Sequence, residues 1–189
     1  ARVARERLEA TVGNRAMVTI RDVGAAWTNQ RSARATLVPR FPATHTIPVL
    51  AIPVELVREF SGVFNSTPFD FLARAHMPSG HLALTWVLSQ IAVPRPGLDS
   101  RIAELSERLS VTSTRLAEEY GFTLHRWDPE QRERDLVELD ALVAKTGYGL
   151  SRDEYELILD SFDVMRRAQE KEHGEYRFKR LCLEAYDRI

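Results

Sequence analysis

The residues best equipped for chemistry fall in two stretches. The first, Trp27 to Arg34, gathers amide, hydroxyl and guanidinium groups between two apolar segments. Asn and Gln side chains pair with adenine edges and Arg with guanine, each through two hydrogen bonds, so Asn29, Gln30, Arg31 and Arg34 carry an inventory for reading bases. Arg21 and Arg40 flank the stretch and suit phosphate contacts, which position a partner without reading its sequence. A purely structural use competes with this, because Asn29 and Ser32 also stabilise turns by bonding to nearby backbone. The second stretch, Asn65 to Pro96, places Arg74, His76, Ser79, Gly80 and His81 between two dense apolar groups. Binding groups are commonly mounted on such loops because the buried flanks hold them rigidly. A plain helical hairpin accounts for the same pattern. Arg74 also stands four residues after Asp70, a spacing at which the two side chains meet on a helix. His76 and His81 have no Cys and no third ligand nearby, so they do not make a zinc site.

The elements that must position these groups follow from periodicity. Residues 16–23 and 35–38 alternate as strands, and residues 46–52 form a third strand whose Pro48 assigns it to an edge. Residues 54–64 have helical spacing in Leu56, Val57, Phe60, Val63 and Phe64 and would cover the sheet. Residues 65–96 read as two short helical stretches broken at Met77-Pro78-Ser79-Gly80. Pro94-Arg95-Pro96-Gly97 is a break in both composition and charge. Beyond it, helices are expected over 99–120, from Asp128-Pro129 to about Gly147, from the Ser151/Glu154 capping box through Phe162, and over 175–189. The expected fold is therefore α+β: a small mixed sheet with covering helices over 1–97, then a helical part over 98–189.

Charge is sorted along the chain. Residues 1–97 hold eleven arginines, no lysine and six acids, whereas residues 98–189 hold fifteen bases and twenty-one acids. A basic half joined to an acidic one implies a polyanion-facing surface on one side only. An arginine-rich composition runs through the whole chain, however, with twenty-three arginines against three lysines, and that alone accounts for the lysine-free half. The composition, 44% hydrophobic and 28% charged, is that of a soluble globular protein with room for a real core. No apolar run reaches membrane-spanning length, so a membrane is not an expected partner. The single Cys182 lies in an apolar patch and reads as a buried small hydrophobe, consistent with a reducing cytoplasm. The chain opens on Ala1 rather than Met and is expected to be a piece of a longer protein.

Three runs carry a resemblance. Asn65-Ser66, Phe69-Asp70-Phe71-Leu72-Ala73-Arg74, Gly80-His81-Leu82 and Ser89-Gln90-Ile91-Ala92-Val93-Pro94 form the first. Arg21, Thr28-Asn29, Arg31, Ser32 and Pro39 form the second. The third is Glu138 to Phe162 with His173 to Ile189, including Glu138-Leu139-Asp140-Ala141 and Gly174-Glu175-Tyr176-Arg177. Together they resemble the C-terminal region of adenine-specific DNA methyltransferases of bacterial restriction-modification systems, including the fused type IIG enzymes and phage-defence relatives. Three positions depart from that pattern: Gln30 replaces an acid, Ala92 a proline, and Gly147 is one residue more than usual before Tyr148.

The resemblance implies target recognition. Double-stranded DNA would be the partner, with Arg21, Asn29, Gln30, Arg31, Arg34, Arg40, Arg74, His76, Ser79 and His81 as candidate contacts. S-adenosylmethionine would belong to an N-terminal catalytic domain of the parent, and a nuclease or helicase subunit would be a further partner. Neither a glycine-rich cofactor loop nor an Asn/Asp-Pro-Pro-Tyr motif occurs in these residues, so no cofactor and no activity are expected of the chain alone. An interaction module, docking a nuclease, translocase or second subunit through the acidic helical half, is the alternative.

Overall fold

The computed structural model describes residues 11–21, 24–25, 27–41, 48–77 and 89–189. Three strands, β1 (Arg15–Ile20), β2 (Ala35–Val38) and β3 (Val49–Pro53), form a sheet in the order β2-β1-β3. Val18 and Ile20 turn one way into the core while Thr19 turns the other, the period of two that the sequence displays. Both pairings are antiparallel, so the sheet is not the expected mixed one. β3 lies at an edge, and Pro48 just before it accepts bonds from Ile20 N–H and Thr19 Oγ1 without having to donate one.

Eight α-helices follow among the described residues: α1 (Val57–Phe64), α2 (Thr67–Ala75), α3 (Ser100–Ser110), α4 (Thr114–Tyr120), α5 (Pro129–Leu142), α6 (Arg152–Asp160), α7 (Asp163–His173) and α8 (Arg177–Arg188). Five of their starts carry a side-chain cap. Ser66 caps α2 through Phe69 N–H, Asp128 caps α5 through Gln131 N–H with Pro129 at the first position, and Ser151 and Glu154 close the capping box of α6. The expected helix over 99–120 is two, because Ser113 caps a new helix through Leu116 N–H while Val111 leaves helical geometry to be fully buried. α6 ends at Asp160, before Phe162, and α7 has no counterpart in the sequence reading. It is strongly polar, and Met165 is its one buried residue, so few apolar positions mark it along the chain. α5 runs into a π turn over Val143–Gly147, closed by Tyr148 N–H to Val143 O at 3.0 Å, the form a helix takes when it absorbs one extra residue. The second helical stretch expected within 65–96 lies mostly outside the described residues.

Residues on either side of Pro94–Gly97 share one core, which joins Val18, Ile20, Val57 and Phe69 to Ile102, Leu105, Leu139 and Val143. Gly62 is where they touch: a Cβ there would lie 3.0 Å from Ile102 Cγ2 and 3.1 Å from Leu139 Cδ1, so α1 sits against α3 and α5 because it has none. A second core of Val137, Tyr155, Leu159, Cys182 and Leu183 belongs wholly to the C-terminal helices, and Cys182 is buried there as expected. No helix among the described residues is long and apolar enough to cross a membrane.

Candidate nucleic-acid interface

The loop that carries most candidate contacts is tied down from beneath. Gly24 permits this locally, because a Cβ there would lie 2.4 Å from Ser32 O. Asp70, fully buried on α2, accepts from Ser32 N–H at 3.0 Å, Ala33 N–H at 3.1 Å, Arg31 Nε at 2.7 Å and Arg74 Nε at 3.3 Å. Arg31 Nη2 donates to Asn65 O at 2.7 Å, and its Nη1 stands 3.9 Å from Asp140 Oδ2. Arg74 in turn donates to Gln30 O at 2.9 Å and lies 4.0 Å over the Phe162 ring. Asn65 completes the frame by bridging Ala35 N–H and O, at 3.1 and 2.9 Å.

A second buried carboxylate, Asp140, joins this frame to the helical part. It accepts from Thr67 N–H at 2.8 Å, from Thr67 Oγ1, and from Tyr155 OH at 2.7 Å. Burial raises the Asp140 pKa, with Arg31 and the Thr67 and Tyr155 bonds opposing it.

Above this frame the cross-strand pair beyond Ile20↔Ala35 is Arg21 and Arg34, joined by Arg21 N–H to Arg34 O at 2.8 Å. Both point into a cleft of about 680 Å³ between the sheet and α3, α5, α7 and α8. Arg21 is held by Asn29 Oδ1 at 2.8 Å, and the Arg34 guanidinium makes no hydrogen bond or ion pair among the described residues. Partial burial lowers the Arg34 pKa, the like charges of Arg31 and Arg21 lower it further, and Asp70 opposes them. It stays charged at any physiological pH. Among the described residues, four arginines, Arg21, Arg31, Arg34 and Arg132, line the cleft against one carboxylate, that of Asp140.

The candidates thus separate. Arg21, Gln30 and Arg34 reach the cleft, and Arg31 forms its inner wall. Arg31 was expected to meet base edges, but it is only 9% exposed and three of its donors face Asp70, Asn65 and Asp140. Arg74, expected at a phosphate, takes instead the alternative spacing partner Asp70. Asn29 serves its turn, donating to Ala25 O at 3.0 Å, whereas the buried Ser32 hydroxyl finds no partner among the described residues. Arg40 lies beyond the other end of β2, with its N–H on Glu119 and its guanidinium over the Tyr120 ring at 5.0 Å. His76 caps its own helix end through Leu72 O at 2.9 Å. Ser79 and His81 lie outside the described residues.

The opposite wall escaped the sequence reading. Trp127, 61% exposed, stands at the cleft with the Arg132 guanidinium 4.0 Å over its ring, and Gln169 and Phe178 line the same wall. These residues come from the acidic half, and a Trp in the polar run His125-Arg126-Trp127 was the one available signal. Compared with protein-family models, curated proteins and solved structures, the chain matched none.

Proposed function

We propose that this chain is the DNA-recognition portion of an adenine-specific restriction-modification methyltransferase, holding duplex DNA against the cleft while a catalytic domain elsewhere in the parent, using S-adenosylmethionine, transfers the methyl group. The resemblance supplies the class of enzyme. The observation that carries the binding role is the cross-strand pair Arg21 and Arg34, two cations set directly opposite each other with no carboxylate partner among the described residues. Like charges so placed cost stability, and an anionic partner offsets that cost. Gln30 at the same rim supplies an amide able to pair with adenine.

Anisotropy titrations of a paired duplex over a range of salt test the reading. Affinity should fall steeply with salt, and Arg21→Ala and Arg34→Ala should each reduce the slope by about one. Parent-like binding by both variants would remove the cleft from the interface.

One observation favours an interaction module as a second reading. Trp27, 64% exposed, joins Phe71 and Val164 around a shallow recess of about 510 Å³ on another face. Adjacent exposed aromatics of this kind serve as anchors for a protein partner. In this reading Trp27→Asp abolishes a discrete complex with the catalytic domain or a nuclease subunit, seen by size exclusion, and leaves DNA affinity unchanged.

A further inference from the structure

The far wall of the cleft is built differently from its arginine rim. Trp127 immediately precedes the Asp128 cap of α5, where Gln131 N–H and Arg132 N–H are both bound, so its backbone is anchored at a helix start. Arg132 donates from Nη1 to Leu109 O at 2.7 Å and covers one face of the indole at 4.0 Å. Burial lowers the Arg132 pKa against the pull of Asp135. The indole therefore has one face backed by a fixed cation, and the residue as a whole is largely exposed. Leu136, Met165 and Phe178 add apolar lining to the same cleft.

A duplex can lie against the rim of a recess of about 680 Å³, but only a group that projects from its stack can enter it. One unstacked nucleotide fits the chemistry: a planar ring for the indole and a flanking phosphate for Arg21 and Arg34. We infer that the cleft captures an unstacked nucleobase on Trp127 with its phosphate at Arg21 and Arg34, so that the protein prefers single-stranded or locally opened DNA. This rests on the nucleic-acid reading of the cleft, and it adds a residue and a substrate form that reading does not contain. A stacking platform held in place before binding loses little entropy on contact, and base–aromatic stacking tolerates any base because every base has a flat face. Four arginines against one carboxylate among the described lining residues suit a nucleotide's phosphate, whereas protein docking uses contiguous apolar surface.

The test uses the whole chain and three probes: a short oligothymidine, a duplex with one bulged thymidine, and the same duplex fully paired. Trp127→Ala, at an exposed position, should weaken the first two by about tenfold and the third by less than about twofold. Trp127→Phe should restore most of the loss. Arg34→Ala should weaken all three. Unaltered binding of single-stranded and bulged probes by Trp127→Ala, or an equal loss on all three probes, would overturn the stacking role while leaving the cleft as a duplex site. If none of the probes binds the parent chain at low salt, both the inference and the reading beneath it fail.

Discussion

Arg31 and Arg34 come from the same short loop, three residues apart, and occupy opposite environments. Arg31 is buried, and its donors meet Asp70, Asn65 and Asp140. Arg34 is exposed on the cleft wall opposite Arg21, with its guanidinium unpaired among the described residues. In the interior every charge is answered, because an unpaired buried ion is expensive. At the cleft, cations are left facing one another, which lowers stability and leaves them ready for an anion. The contrast teaches that arginine content alone does not identify a binding surface. What separates the two sites is whether the fold has already supplied the carboxylate.

Asp70 holds the buried side of this contrast in place. Asp70→Ala leaves two guanidiniums and two backbone N–H groups without their acceptor, and should cost about 3 to 5 kcal/mol in denaturant unfolding. A loss below about 1 kcal/mol would show that the interior network is not structural. Asp140 is the next test, and its effect depends on pH. Burial raises its pKa in the folded state, so its stabilising contribution is full below the ordinary carboxylate value and is lost as pH rises through the raised one. The stability of the parent relative to Asp140→Asn should therefore decline from about pH 4 upward. Glu107 should behave in the opposite sense. Burial alone would raise its pKa, but bonds from Arg58, His125 and Thr123 N–H bring it below the usual value. Its stabilising contribution is present above the ordinary value and is lost as pH falls through the lowered one, so Glu107→Gln should matter near neutrality and cease to matter in acid. A matching pH trend for both variants would contradict this pairing.

Smaller effects sharpen the contrast. Gly24→Ala forces Ser32 O to move and should cost about 2 kcal/mol, accompanied by changed amide signals for Ser32 and Ala33 where they meet Asp70. Arg34→Ala should change stability by no more than about 0.5 kcal/mol, and in the stabilising direction, because it relieves the repulsion with Arg21. A destabilisation beyond about 1 kcal/mol would mean that Arg34 is structural after all.

Much of the frame was legible in the sequence. Strand β2 and the cap residues Asp128 and Ser151 act within a few residues of themselves, and the Asp70 to Arg74 spacing places that pair on one helix face. Helix α7 was not legible, because a strongly polar helix that buries only Met165 offers few apolar positions to mark it. The break at Val111 was missed because the apolar periodicity of α3 and α4 runs nearly in phase across it, and only the burial of Val111 against the core makes the chain turn there.

The sequence by itself determined the types of group available: an arginine-rich, lysine-free first half, amides and guanidiniums in the Thr28 to Arg34 loop, and local signals for most elements. Those properties depend on composition and on neighbours within one or two helical turns. Long-range packing selects which arginine is paired and which stays unpaired among the described residues, because the deciding carboxylates, Asp70 and Asp140, lie 39 and 109 residues from Arg31 along the chain. It also decided that Trp127 of the acidic half faces Arg21 and Arg34 of the basic half across one cleft. Charge sorting along the chain concealed that juxtaposition, since a surface is assembled by packing α3 and α5 on α1 and the sheet, and sequence distance does not constrain it.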